Sequence, residues 1–263
     1  MLFLRSCLFQ ILFYTVTFVL MVLFSPVMLL PRKWGWWVVP TWSKALLFVM
    51  RITAGLKVEI RGLENLPKGG YIAALKHQSA WETVALIPLF RSPTFILKRE
   101  LRWIPIFGWY TAKFKMIPIN RGKRSEALAA MMQAAREAIA EKRQIMIFPE
   151  GTRRPAGAEP KYKFGIAHLY RDLKCPVVPI AHNAGLYWPR ASWMVYPGTI
   201  IVEILPPIEP GKTPNAFYET MVEKIEAASD RLIDEARNAP RPSPVLGAAD
   251  ARRAAGQQDP VEG

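Results

Sequence analysis

The opening of the chain lacks the alternation of apolar and polar positions that marks a soluble domain. Residues 6–31, SCLFQILFYTVTFVLMVLFSPVMLLP, carry no charge. About 20 helical residues rising roughly 1.5 Å each cover a hydrocarbon core. The run therefore predicts a membrane-associated helix that Pro26 kinks or ends. It is too long for the apolar core of a signal peptide, and no small-x-small cleavage site follows. Arg32 and Lys33 come next, then WGWWVVPTW, whose tryptophans suit the headgroup level. KALLFVMR adds a short apolar face between two cations. Residues 1–58 are expected to form a membrane anchor of two helical segments. Positive charge after the first segment places the rest of the chain on the cytoplasmic side of the inner membrane. Spanning and one-leaflet insertion both fit the pattern, and a buried core hairpin is the alternative.

Beyond the anchor, strand-like and helix-like patterns alternate. LKVEIR alternates and then turns, and GGYIAALKH is a strand apolar on both faces. A helix is expected from Ser79 to Phe90, stopped by RSP, and TFILK is a short strand. KMIPINR is extended. SEALAAMMQAAREAIAEK is a helix with one stripe through Leu128, Met131, Met132, Ala135 and Ile139. RQIMIFPEG is a buried strand that ends in a turn. FGIAHLYRDL is a helix, CPVVPIAH and TIIVEILPPI are strands, and NAFYETMVEKIEAASDRLIDEA closes the fold as an amphipathic helix. The pattern predicts a single α/β domain over residues 59–237, with a mixed, largely buried β-sheet flanked by helices. Residues 238–263 hold four prolines and no apolar period, so a disordered tail is expected.

Charge narrows the partner. The net charge is +14, and nine Lys and Arg against one Glu lie between Arg91 and Arg124. Such a field draws an anionic partner. No nucleic-acid motif accompanies it, and the anchor points instead to lipid phosphates. The two cysteines, Cys7 and Cys175, have neither disulfide nor metal spacing and read as reduced and structural. GKT at 211–213 resembles the end of a P-loop, but the glycine needed earlier is Pro206.

Three polar constellations remain. His77 leaves a strand just before SAWE, where Ser79 and Glu82 match a capping box. Glu82 also stands where a first-turn carboxylate reaches an imidazole and holds it as a general base. The two readings are compatible. No G-x-S-x-G is present, so the base would act on a substrate hydroxyl, not on an enzyme serine. FPEGTR, residues 148–153, ends a buried strand at the sheet edge, where α/β folds bind ligands. IPINRGKR, residues 117–124, reads either as a solvated turn or as a phosphate clamp.

In this order the pieces resemble the glycerolipid acyltransferase family over roughly residues 55–210. His77 and Glu82 match its first block, although the usual acid there is aspartate. KMIPINR matches the second block at Ile119 and Arg121, with Lys115 and Pro118 in place of its Gly and Phe. FPEGTR is the complete third block, and PVVPI the fourth. The resemblance implies acyl transfer to the sn-2 hydroxyl of 1-acyl-glycerol-3-phosphate, giving phosphatidic acid. The donor would be a thioester on acyl carrier protein or coenzyme A. No cofactor, metal or nucleic acid is implied. His77 and Glu82 would be catalytic, and Arg121, Glu150, Gly151, Thr152 and Arg153 would hold the headgroup. Lys98, Trp103, Phe107 and Trp109 would touch the acyl chain or the bilayer. His168 and His182 read as structural, and Asn183 as a possible hydrogen-bonding group in the site. Rival readings are another lysolipid acceptor, such as a lyso-ornithine lipid, or a non-catalytic protein that binds anionic lipid.

Overall fold

The computed structural model describes residues 1–119 and 124–256, with the backbone alone for 124–128. Helix α1, Leu2–Leu23, takes up most of the uncharged run and ends before a 3-10 turn, Ser25–Leu29, that contains Pro26. The short α2, Arg32–Gly35, leads into α3, Val38–Thr53. α1 and α3 pack as the expected pair, and the Trp42 indole N–H donates to Thr17 Oγ1 at 3.3 Å.

The two faces of α1 differ. Phe9 is buried with Leu46 and Met50 of α3, and Leu12, Phe13 and Val16 pack against the same core. Leu4, Leu8, Ile11, Phe18 and Val22 are exposed and form an outward apolar stripe at helical spacing. Both ends of α1 are tied to the globular domain. Near its start, the Ser6 hydroxyl accepts from the Val195 N–H at 3.1 Å, and Gln10 Nε2 donates to Trp193 O at 3.4 Å. Near its end, the Tyr110 hydroxyl donates to Met21 O at 2.9 Å.

Among the described residues seven strands form the sheet: β1 (Leu56–Arg61), β2 (Tyr71–Leu75), β3 (Pro93–Lys98), β4 (Ile117–Ile119), β5 (Gln144–Ile147), β6 (Val177–His182) and β7 (Gly198–Ile204). Their order is β1-β7-β6-β2-β5-β3-β4. The pairings are parallel except β6 with β7, so the sheet is mixed, as expected. Every residue of β2 and β6 is buried, because both strands lie inside the sheet with helices on each face. On one face, α1, α3 and the short α4, Glu82–Ala85, cover Tyr71, Ala73 and Leu75. On the other, Ile72 and Ala74 meet α6 (Arg124–Ala140), α7 (Gly165–Leu173) and α9 (Pro214–Arg237). Helices α5 (Phe107–Lys113) and α8 (Ala184–Tyr187) are short connectors. The register pairs Ala74 with Ile147 and Leu75 with Ile180. The carboxyl ends of β2, β5 and β6 therefore open side by side.

Two expectations are corrected. The helix expected from Ser79 to Phe90 is only α4 followed by a 3-10 turn, Ile87–Leu89. Pro88 lacks the N–H that an α-helix needs there and crowds the preceding turn. The tail is not disordered throughout: Leu246–Gly256 form α10, which packs against α9. Leu246 and Ala249 are buried, the Ser243 hydroxyl donates to Leu186 O, and Arg253 pairs with Asp234 at 2.7 Å. Two apolar residues three apart in an alanine-rich stretch make a weak periodic signal but a good helix former. Residues 257–263 lie outside the described residues.

Gly157 shows why α10 belongs to the domain. Its φ is +73°, and a Cβ there would stand 2.3 Å from the Ala249 carbonyl oxygen. The helix thus rests directly on the loop that follows FPEGTR. Leu246→Ala is expected to destabilise the protein by about 2–3 kcal/mol, within the usual cost of emptying a buried leucine site. Chemical denaturation of the detergent-solubilised protein measures this, and an unchanged midpoint would mean that α10 does not pack on the domain.

Candidate active site

β2 ends at Leu75, and residues 76–81 run irregularly to α4. This stretch brings His77 and Glu82 together. His77 Nδ1 lies 2.9 Å from Glu82 Oε1. The same oxygen accepts the Gln78 N–H at 2.9 Å and the Ser79 N–H at 2.8 Å, and Oε2 lies 3.0 Å from the Ser79 N–H. Half of the capping box is realised: the acid reaches back to the Ser79 backbone. The Ser79 hydroxyl accepts from the Trp81 N–H at 3.2 Å, and it is Trp81 that stands at the cap position of α4. One carboxylate both closes the turn and holds the imidazole.

Glu82 is fully buried. Burial pushes its carboxyl up. The nearby imidazoles of His182 and His77, the hydrogen bond to His77 and the Ser79 N–H outweigh that, so its pKa lies below the ordinary glutamate value. An ionised carboxylate has only acceptors, so His77 donates to it through Nδ1, and Nε2 is the ring nitrogen left for a substrate. The imidazole stacks on Phe148, with centroids 4.1 Å apart and planes 23° from parallel. Its side chain is 14% exposed, which leaves one edge of a largely enclosed ring open to a substrate.

The FPEGTR turn grips His77 by its backbone. Glu150 Oε2 accepts the His77 N–H at 2.7 Å, and the Arg154 N–H donates to His77 O at 2.7 Å. Glu150 was expected to hold the headgroup. It is instead 2% exposed and turned inward, 3.2 Å from the Lys76 ammonium. Burial, opposed by Lys76, raises its pKa above the ordinary value. Gly151 turns the chain at φ +69°, a conformation that disfavours a side chain. Thr152 and Arg153 are exposed beyond it.

Lys98 ends β3 on the same side of the sheet and is exposed, while Trp103 and Trp109 are largely exposed and Phe107 is half-buried. Arg121 lies outside the described residues. His168 sits on α7 with its ring edge-on to Phe164. Asn183 does not face the site: its side-chain oxygen accepts the Ile201 N–H at 2.9 Å and pins β6 to β7.

Two residues near the pair gave no catalytic signal in the sequence. His182 is fully buried, its Nε2 donating to Lys76 O at 2.8 Å and its Nδ1 accepting the Ala184 N–H at 3.3 Å. Burial lowers its pKa, opposed by the Glu82 carboxylate, and Nε2 lies 3.9 Å from Glu82 Oε2. Lys76 is the other. Its place immediately before His77 was visible, but its burial was not.

A buried histidine–carboxylate pair at the carboxyl edge of a mixed sheet, mounted on an apolar helical pair, defines a membrane-associated α/β enzyme. The acyltransferase family model matches residues 57–183. The chain is 42% identical over 183 residues to the 1-acyl-sn-glycerol-3-phosphate acyltransferase of Pseudomonas aeruginosa, covering 69% of this chain and 71% of that protein. The enzyme of the same name from Saccharomyces cerevisiae is 32% identical over 200 residues, 73% of this chain and 65% of the yeast protein. The crystal structure of the 1-acyl-sn-glycerophosphate acyltransferase PlsC from Thermotoga maritima shares the fold, with a TM-score of 0.75 at 23% identity over 88% of this chain and 98% of that one. The chain belongs to the acyltransferase family.

Glu82→Gln tests the pair. Because the Glu82 pKa is lowered on folding, its contribution to stability is present above the ordinary glutamate value of about 4.3 and lost as pH falls through the folded value. The stability gap between wild type and Glu82→Gln should narrow in that acidic window. At neutral pH the turnover of Glu82→Gln should fall at least about a hundredfold. A variant that loses only the roughly 0.5–2 kcal/mol of a cap and keeps its rate would reduce Glu82 to a structural residue.

Proposed function

We propose that the protein transfers an acyl chain from an acyl thioester, on acyl carrier protein or coenzyme A, to the sn-2 hydroxyl of 1-acyl-glycerol-3-phosphate. The observation that carries this reading is the His77–Glu82 pair, with Nδ1 committed to the carboxylate. The names of the Pseudomonas and yeast relatives support the acceptor. His77 Nε2 takes the proton of the acceptor hydroxyl as the oxygen attacks the thioester carbonyl. The buried Glu82 carboxylate stabilises the imidazolium that forms. The tetrahedral intermediate collapses, the carbon–sulfur bond breaks, and the imidazolium returns the proton to the leaving thiolate. Exposed Arg153 and Lys98 at the same sheet edge suit a phosphate headgroup. They favour lysophosphatidate over an acceptor without phosphate, and Arg121 of the second family block is proposed to contribute to headgroup binding.

Turnover of the purified protein on a panel of lysolipids, each with acyl carrier protein and coenzyme A thioesters, tests the function. Lysophosphatidate is expected to be the best acceptor. His77→Ala should lose at least about a hundredfold in kcat while staying folded. Near-wild-type turnover in the folded variant would remove His77 as the base.

The structure also bears on the anchor. α1 has 22 residues, about 33 Å of helix, and is fastened to one globular body near both of its ends. A helix held this way cannot cross a bilayer without drawing the domain in after it. We therefore propose that α1 lies in one leaflet, with the stripe from Leu4 to Val22 facing the acyl chains and Trp103 and Trp109 beside it in the interface. The positive-charge argument for orientation applies to spanning helices and no longer decides the side. The cytoplasmic face of the inner membrane is proposed because the thioester donors are cytosolic. Cysteines placed singly at Arg5 and Lys33, the exposed charged positions that flank the apolar stripe, in a chain with Cys7 and Cys175 replaced by alanine, should react with a membrane-impermeant thiol reagent from the same side only. Labelling from opposite sides would establish a spanning helix.

A further inference from the structure

A second cluster of buried charge adjoins the His77 backbone. The Lys76 side chain is 4% exposed. Its ammonium lies 2.5 Å from Glu226 Oε1 of α9 and 3.2 Å from Glu150 Oε1. The Tyr162 hydroxyl donates to the same Glu226 oxygen at 2.5 Å, and the ammonium sits 5.4 Å from the centroid of the Tyr162 ring. Glu150 completes the chain by accepting the His77 N–H through its other oxygen at 2.7 Å. An unbroken series of polar contacts thus runs from the closing helix to the backbone of the base.

Stability alone is a poor reason for such a cluster, since well-packed apolar side chains often do as well as a buried ion pair. What the arrangement supplies is a charge state. A carboxylate binds an N–H about twice as strongly as a neutral acceptor does. Burial favours the protonated form of Glu150, and the negative charge of Glu226 adds to that, while Lys76 opposes both. Lys76, just after β2, and Glu226 on α9 act on Glu150, Tyr162 faces both carboxylates, and Asp230 stands one turn further along α9 near Lys76 and Glu226. Arg252 and Arg253 of α10 stand across a cavity of about 150 Å³ that Lys76 and Glu226 also line.

We propose that Lys76 is a positioning residue: its ammonium, seated between Glu226 and Glu150, keeps the Glu150 carboxylate on the His77 N–H and so holds the base in register with Glu82. Replacing Lys76 lets Glu150 take up a proton, and the grip on His77 weakens as pH falls. The proposal rests on His77 as the base.

The test is the pH profile of kcat in wild type, Lys76→Met, Glu150→Gln and the double variant, with Lys76→Gln in place of Lys76→Met if the latter does not fold. Lys76→Met should move the acid limb up by about one pH unit, with KM for the lysolipid changing less than about twofold. In the Glu150→Gln background, which cannot titrate at that position, the same substitution should leave the limb in place. A limb that moves in both backgrounds would mean that Lys76 acts on His77 directly through its field, and would overturn the proposal. A limb that moves in neither would do so too, as would Glu150→Gln without measurable turnover, or the failure of both Lys76 variants to fold. If the limb does not move while His77→Ala is inactive, only the role of Lys76 falls; if His77→Ala is fully active, the base assignment itself falls.

Discussion

The buried carboxylate of Glu82 is the constraint on which the site depends. Removing a carboxylate from water costs several kcal/mol unless hydrogen bonds and counter-charges replace the solvent. Here the replacements are the His77 ring and the N–H groups of Gln78 and Ser79. Each of them is fixed in the act of satisfying the acid. The irregular stretch after β2, the first residue of α4 and the tautomer of the imidazole follow from one desolvated charge. The family resemblance expects the shorter aspartate here. Here α4 starts at Glu82 itself, behind the fully buried Trp81, and not at Ser79, and both carboxylate oxygens meet the Ser79 N–H.

Around that centre the parallel strands do the positioning. β2, β5 and β6 lie side by side in register, so three segments far apart in the chain arrive at one edge. β2 delivers His77, β5 delivers Phe148 and Glu150, and β6 delivers His182. The FPEGTR turn holds His77 from beneath by stacking and by gripping its N–H and C=O. α10 in turn rests on the loop that follows this turn. The anchor is part of the same body, since α1 and α3 contribute to the core that covers one sheet face. In the proposed one-leaflet seating, the helical pair sets the height of the candidate site above the bilayer.

Much of this was legible in the order of residues. The α/β alternation, the helical pair, the His77–Glu82 spacing and the FPEGTR turn at the end of a buried strand all depend on local periodicity or on short spacings. The roles of single side chains were less legible. Glu150 sits in a motif that suggested a headgroup contact, yet its side chain turns inward to the His77 N–H. Asn183 follows His182 by one residue, but a side chain at the end of a strand points away from its neighbour, and it bonds to β7. α10 was missed because two buried apolar residues on an alanine-rich segment leave little periodic signal.

The sequence by itself carried the resemblance to the acyltransferase family, because a histidine five residues before an acid, a strand-end turn and an apolar anchor are local facts that chain order preserves. Only the tertiary structure decided that α1 is fastened near both ends to the catalytic domain. It alone joined Lys76 to Glu226 across 150 residues and turned Glu150 toward the base. Contacts of that kind follow from which strands pair and in what register, and strand register is fixed by the packing of the whole core, not by the residues that meet.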